Sequence, residues 1–167
     1  MKIAAADVAY DDAQERARGA IVAFDGWGAE RALWEGTLDF EHLAPYAPGR
    51  FYERELPCWL SLLERARAAG FDPELLVVDG YASFSAERPA LGEHLARATG
   101  KPVVGVAKTR YRGAEHTEVL RGTSKTPLFV TAVGVDVEAA ARWVREAHGR
   151  HRIPTMLARA DGLSRGR

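Results

Sequence analysis

The run Leu-Leu-Val-Val-Asp-Gly at residues 75–80 limits what this chain can fold into more than any other stretch. Four large apolar residues follow one another without alternation, so a strand made of them is covered on both faces. Such strands belong to parallel sheets packed between helices. The run closes on an acid and a glycine at the carboxyl end of the strand, and ligands of open α/β sheets gather beyond those ends. A second run of this kind, Pro-Val-Val-Gly-Val-Ala-Lys at residues 102–108, closes on a lysine. If the two strands are neighbours, Asp79 and Lys108 emerge at the same sheet edge.

Elsewhere the patterns differ. Lys2–Tyr10 reads as a strand of small residues, with Asp7 on the same side as Ile3, Ala5 and Ala9. Ala20–Phe24 and Ala32–Phe40 read as further strands, and the turn cluster Asp25–Gly28 between them suggests a hairpin. The first third is thus an antiparallel meander. Pro57 reads as the first-turn proline of a helix whose apolar face holds Leu60, Leu63 and Ala66, with Gly70 as its cap. A helix over Arg88–Thr99 closes at Gly100, and another over Val137–His148 closes at Gly149. Strands are expected at Thr117–Arg121 and Pro127–Ala132. A meander followed by strand and helix in alternation points to a mixed α/β sandwich of the ribonuclease H-like kind, flanked by helices.

Length and the absence of a linker-like tract point to a single domain over residues 1–167. One cysteine, Cys58, excludes a disulfide framework and makes the cytoplasm the expected setting. The opening MKIAAADVAY reads as neither a signal peptide nor a membrane span. Lys plus Arg and Asp plus Glu each total 23, so the formal net charge is zero. A protein that coats nucleic acid regardless of sequence normally carries a basic excess, whereas a nucleic-acid enzyme needs only a local patch. The last eighteen residues set Arg150, Arg152, Arg159, Arg165 and Arg167 against Asp161 alone, and read as a solvated, frayed terminus. His116, His148 and His151 read as surface residues.

Asp7 within a strand and Asp79 at a strand end are unusual places for acids, because buried charges need a partner or a metal. Converging, they could hold Mg²⁺, which takes one or two carboxylates with water and phosphate oxygens. Each could instead cap its strand or pair with an arginine. Lys108 beside them could neutralise a phosphate; a strand-end lysine is otherwise solvated. The stretch PYAPGRFYERELP, Pro45–Pro57, packs three prolines among tyrosines and charges. Pro45 and Pro48 stiffen the backbone around Tyr46, which either packs locally or projects as a wedge for a base stack. Arg54 and Glu55 stand just before the expected helix. There Glu55 either complements the positive helix end or reaches a metal-bound water.

The order DVAY (Asp7–Tyr10), PYAPG…RELP (Pro45–Pro57), LLVVDG (Leu75–Gly80) and VVGVAK (Val103–Lys108) resembles the endonuclease V family of deoxyinosine-directed repair nucleases. The similarity runs on to RIP (Arg152–Pro154) and AD (Ala160–Asp161). The resemblance implies a ribonuclease H-like fold with Asp7 and Asp79 as ligands of Mg²⁺ or Mn²⁺. Glu55 is then the third acid and Lys108 the active-site lysine. Tyr46, within Pro45–Gly49, is the wedge beside a flipped base, with Pro48, Gly49, Arg54 and Gly80 also on the nucleic-acid side. The implied reaction is hydrolysis of the phosphodiester bond 3′ to a deaminated base in DNA, by a monomer away from membranes. Inosine-containing RNA or another nucleic-acid structure, such as branched DNA, is the alternative substrate, and a non-catalytic nucleic-acid-binding module the alternative class.

Three departures from the family pattern stand out. Ala82, Ser85-Ala86-Glu87 and Ala90 replace a Gly, a His-Pro-Arg segment and a Gly that shape the family's base pocket. Val135, after Gly134, falls where the resemblance places a late histidine that supports the metal-bound water, which predicts a slower or differently tuned enzyme. The chain also starts almost on its first catalytic strand, so substrate contacts from a preceding helical segment are expected to be missing.

Overall fold

The two doubly covered runs lie side by side at the middle of a seven-stranded sheet in the computed structural model, which describes residues 1–167. In chain order the strands are β1 (Lys2–Asp11), β2 (Arg16–Asp25), β3 (Trp34–Glu41), β4 (Leu75–Val78), β5 (Ser83–Ser85), β6 (Arg88–Pro89), β7 (Val103–Ala107), β8 (Thr117–Val119) and β9 (Leu128–Val133). The helices are α1 (Phe51–Ala68), α2 (Leu91–Thr99), α3 (Val137–Glu146) and α4 (Thr155–Ser164). The sheet order is β3-β2-β1-β4-β7-β9-β8, and β5 pairs with β6 in a separate small hairpin. Strands β1, β2 and β3 form the antiparallel meander, whereas β1, β4 and β7 run parallel. Strands β8 and β9 close the far edge antiparallel.

Period-two alternation splits the strand residues between two layers. Ile3, Ala5, Leu75, Val77, Val104 and Val106 join a core completed by α3 and α4. Ala4, Ala6, Leu76, Val78 and Val103 face α1 and α2, where Trp59, Leu62 and Leu63 fill the space that the β1 alanines leave. The sandwich is therefore a mixed sheet with two helices on each side, as expected.

Four expectations fail. The helix expected over Arg88–Thr99 begins only at Leu91, because Arg88–Pro89 pairs with β5 as strand β6. Helix α1 begins at Phe51, so Pro57 lies inside it rather than in its first turn. Burial decides this: Arg54, Glu55, Cys58, Trp59, Leu62, Leu63 and Ala66 form one inward face that spans the proline. The tail is not frayed either, because α4 buries Met156, Leu157 and Ala160 against the sheet. Its arginines are mostly engaged: Arg159 holds Glu35 through two 2.8 Å bonds and Arg165 holds Asp161 at 2.9 Å. Finally, His116 is no surface residue. Its side chain is largely covered, edge-on to Phe129, with Nδ1 at 2.9 Å from the Ala114 carbonyl.

Candidate active site

Register brings the first two acids together. The last β1–β4 pair is Ala6 with Val78, so Asp7 stands one step further along, level with Asp79. Both continue the odd-numbered series that faces α3 and α4, and α4 crosses this end of β1 and β2. It delivers Asp161. One carboxylate oxygen from each of Asp7, Asp79 and Asp161 lies within 4.8 Å of the others. The pair therefore converges, with a third acid that the sequence reading passed over. Its available signal was the acid of Ala160–Asp161 set one residue past an apolar helical face.

The neighbours hold these groups in place. The Ser164 hydroxyl sits 2.8 Å from Asp7 Oδ2 and 2.8 Å from the Asp161 carbonyl oxygen. Lys108 Nζ donates to Asp79 Oδ2 at 2.5 Å, so the two strand-end groups do meet at one edge. Arg152 of the RIP segment donates to the Lys108 carbonyl at 2.5 Å and to that of Pro127 at 2.7 Å. This ties the approach to α4 to the strand end that carries the lysine. Burial pushes the Asp79 carboxyl above its ordinary range; Lys108 opposes this, and the charges of Asp7 and Asp161 reinforce it.

Glu55 comes from the other layer, in the second turn of α1, and is 5% exposed. It is not at the helix end. It makes no hydrogen bond or ion pair, and burial, then Asp7, then Asp79 push its carboxyl up to about 8. Glu55 stands within electrostatic reach of the aspartates but outside their group of three. Arg54 is also buried, 6% exposed, with its guanidinium 3.9 Å from the Tyr10 ring centroid and paired with Asp12. It faces the protein, not the solvent.

The wedge segment is arranged otherwise. Tyr46 is 65% exposed, and Pro45, Pro48 and Gly49 are exposed beside it in an irregular stretch closed by the Arg50 amide on the Ala47 carbonyl at 3.0 Å. Gly49 and Gly80 help line a cavity of about 230 Å³ that also touches Glu55 and Asp79. The chain reaches it by crossing β7: a Cβ on Gly105 would sit 2.2 Å from the Ala82 amide nitrogen and 2.6 Å from the Gly80 carbonyl oxygen. Only glycine lets the segment after Asp79 lie that close.

Two of the departures change meaning here. Ala82 is fully buried between Gly92 and Gly105 and does not line the cavity, and Ala86 and Glu87 are the exposed tip of the β5–β6 hairpin. The cavity instead receives Tyr81, Phe84, Arg88, Ala90 and Tyr111. Gly134 packs on Pro102, before the start of β7, so Val135 lies at the opposite end of the sheet from Lys108. A histidine there would not reach the acids.

The donor set fits a hard divalent cation. Three carboxylates offer oxygen ligands, the choice of Mg²⁺ and Mn²⁺. Lys108 pairs with Asp79 and Arg165 with Asp161, while Asp7 meets only the Ser164 hydroxyl, so one carboxylate of the three has no cation of its own. Asp7, Asp79 and Asp161 are the residues that would hold the ion.

The family model for endonuclease V matches residues 1–133. An endonuclease V from Nocardia farcinica is 34% identical over an alignment 187 positions long, covering 98% of this chain and 79% of that one. The crystal structure of endonuclease V from Streptomyces avermitilis superposes with a TM-score of 0.81 at 28% identity, covering 99% of this chain and 80% of that one. Endonuclease V from Ciona intestinalis, solved with a 24mer DNA containing an inosine followed by a ribo-adenosine, gives 0.87 at 20% identity over 99% and 84%. These neighbours share the ribonuclease H-like fold. The motifs that carry the sequence resemblance thus lie on the family's own architecture, and this chain belongs to the endonuclease V family.

Proposed function

We propose that this chain is a divalent-metal-dependent endonuclease that hydrolyses the phosphodiester bond 3′ to deoxyinosine in DNA, in a repair role. The observation that carries this reading is the convergence of Asp7, Asp79 and Asp161 from three elements onto one face at the carboxyl end of β4. When bound there, Mg²⁺ or Mn²⁺ activates water and stabilises the departing 3′-oxygen. Ser164 orients Asp7 through its hydroxyl. Lys108, whose Nζ lies 2.5 Å from Asp79 Oδ2, offers its ammonium to the phosphate. Glu55, buried and lining the cavity together with Asp79, takes or returns a proton at its carboxyl.

Substrate is held by the surrounding loops. Tyr46, stiffened by Pro45 and Pro48, wedges into the stack, and Gly49 and Gly80 let the strand approach the cavity. Arg54 serves indirectly: paired with Asp12 and packed on Tyr10, it fixes the start of α1 and hence Glu55. Extrusion of a base costs a few kcal/mol, least at a weakened pair such as one containing inosine.

The test is nicking of end-labelled duplexes carrying inosine, uracil, an abasic site or normal bases only, with and without Mg²⁺. A ribonucleotide 3′ to the inosine forms a further arm. The parent nicks the inosine strand only with the metal, and Asp79→Ala loses at least a hundredfold in rate while keeping its fold by circular dichroism. An Asp79→Ala protein as fast as the parent rejects the metal assignment. Tight binding without nicking at any Mg²⁺ or Mn²⁺ concentration points to a non-catalytic binding module.

A further inference from the structure

We propose that Arg88 is the specificity-determining residue of the cavity: its guanidinium donates to O6 and N7 of a 6-oxopurine, backed by the rings of Phe84 and Tyr111. The inference rests on the nuclease reading above and names what takes over base recognition in the divergent segment after Asp79.

The wall is built rigidly. Phe84 and Tyr111 stand 4.8 Å apart between ring centroids, and the Arg88 guanidinium lies 5.9 Å and 5.8 Å from the two centroids. The Tyr81 hydroxyl donates to the Thr109 carbonyl at 2.9 Å and accepts from the Tyr111 amide at 2.8 Å. The Glu115 amide donates to the Phe84 carbonyl at 3.2 Å, joining the hairpin to the loop after β7. Neither loop can swing away without breaking these bonds.

Arg88 itself is uncommitted. It lines the same cavity as Asp79 and Glu55, and its side chain makes no hydrogen bond or ion pair. A guanidinium offers five donors in a planar fork and no acceptor. The two rings lie within cation–π range of it and offer no hydrogen-bond acceptor, so its N–H donors stay free. At about 230 Å³ the cavity is smaller than the ~300–1,000 Å³ of drug-sized sites, a size for one heterocycle. A base that matches a donor fork presents two adjacent acceptors. The O6/N7 edge of a 6-oxopurine does so; adenine replaces one acceptor with an amino donor, and pyrimidines lack the pair. Deamination of adenine creates that edge, which guanine already carries, so the fork separates 6-oxopurines from adenine and the pyrimidines.

The test removes one acceptor atom at a time. Binding of the metal-free protein is followed by fluorescence anisotropy in EDTA. The oligonucleotides carry one deoxyinosine, 7-deazadeoxyinosine or deoxyadenosine at the same position. The parent binds the inosine strand about tenfold or more tighter than the 7-deaza strand. Arg88→Ala binds both alike at the weaker level, and Arg88→Lys, a point charge without the fork, does not restore the difference. Melting midpoints near the parent's confirm that both variants are folded. An Arg88→Ala protein that keeps the parent's preference overturns the inference while leaving the nuclease reading intact. So does a parent that prefers inosine to adenine but ignores the 7-deaza change. A parent that binds inosine and adenine equally rejects the deaminated-base reading, and the inference falls with it.

Discussion

A carboxyl group that is 5% exposed and has no hydrogen-bond partner must keep its proton or meet a cation. For Glu55 both routes are open, and they separate by pH. Its ordinary value of 4.5 is pushed up to about 8 in the folded chain. Below 4.5 both folded and unfolded chains carry the proton, so the shift costs nothing. Between 4.5 and 8 the unfolded chain ionises while the folded one holds its proton, so stability falls as pH rises through that window. In metal-free protein, Glu55→Gln removes this liability. Its advantage over the parent in urea midpoint is absent at pH 4 and grows to the order of a few kcal/mol by pH 8. A difference that stays flat over the window shows that Glu55 ionises normally in the fold.

Elements show why some of the structure was legible in the sequence and some was not. Strands β4 and β7 carry unbroken apolar runs that only a doubly covered position tolerates, and with them came the placement of Asp79 and Lys108. Asp7 followed from alternation along β1. Helix α4 was hidden because its buried face is Met156, Leu157, Ala160 and Ser164, a weak pattern of mostly small residues beneath a run of arginines. With it went Asp161. The cavity wall was hidden too, since Phe84, Arg88 and Tyr111 lie in a short hairpin and a loop and meet only in three dimensions. In α1 a local signal outvoted a tertiary one: Pro57 marked a start, but burial on both sides of it extends the helix back to Phe51. That conflict carries a cost. Pro57 lacks the amide that would bond the Glu53 carbonyl and crowds it with its ring. Because Pro57 is exposed, Pro57→Ala forfeits little packing. It stabilises the fold by about 2–2.5 kcal/mol in denaturant melts, the ~3 kcal/mol of an interior proline less ~0.4–1 kcal/mol for the looser unfolded chain. Destabilisation shows instead that the ring secures the first turns of α1.

Across the whole molecule, the acid cluster is also what joins its parts. Asp7 comes from the first strand, Asp79 from the middle of the sheet and Asp161 from the last helix. Without a cation their mutual repulsion works against the packing of α4 on β1; a bound cation turns the same contact into a cross-link between the two ends of the chain. An ion that binds only the folded state stabilises it by about 2.7 kcal/mol at a hundred times its Kd. In a 167-residue domain that corresponds to a rise in Tm of roughly 5–10 °C. Thermal melts of the parent in EDTA and in rising Mg²⁺ or Mn²⁺ follow this dependence, with Ca²⁺ as a non-redox control of similar charge. Asp161→Asn loses most of the shift while melting in EDTA at or above the parent, since one repulsive charge is gone. If Asp161→Asn keeps the parent's full metal-dependent rise, α4 covers the sheet without supplying a ligand, and the cluster reduces to the two strand aspartates.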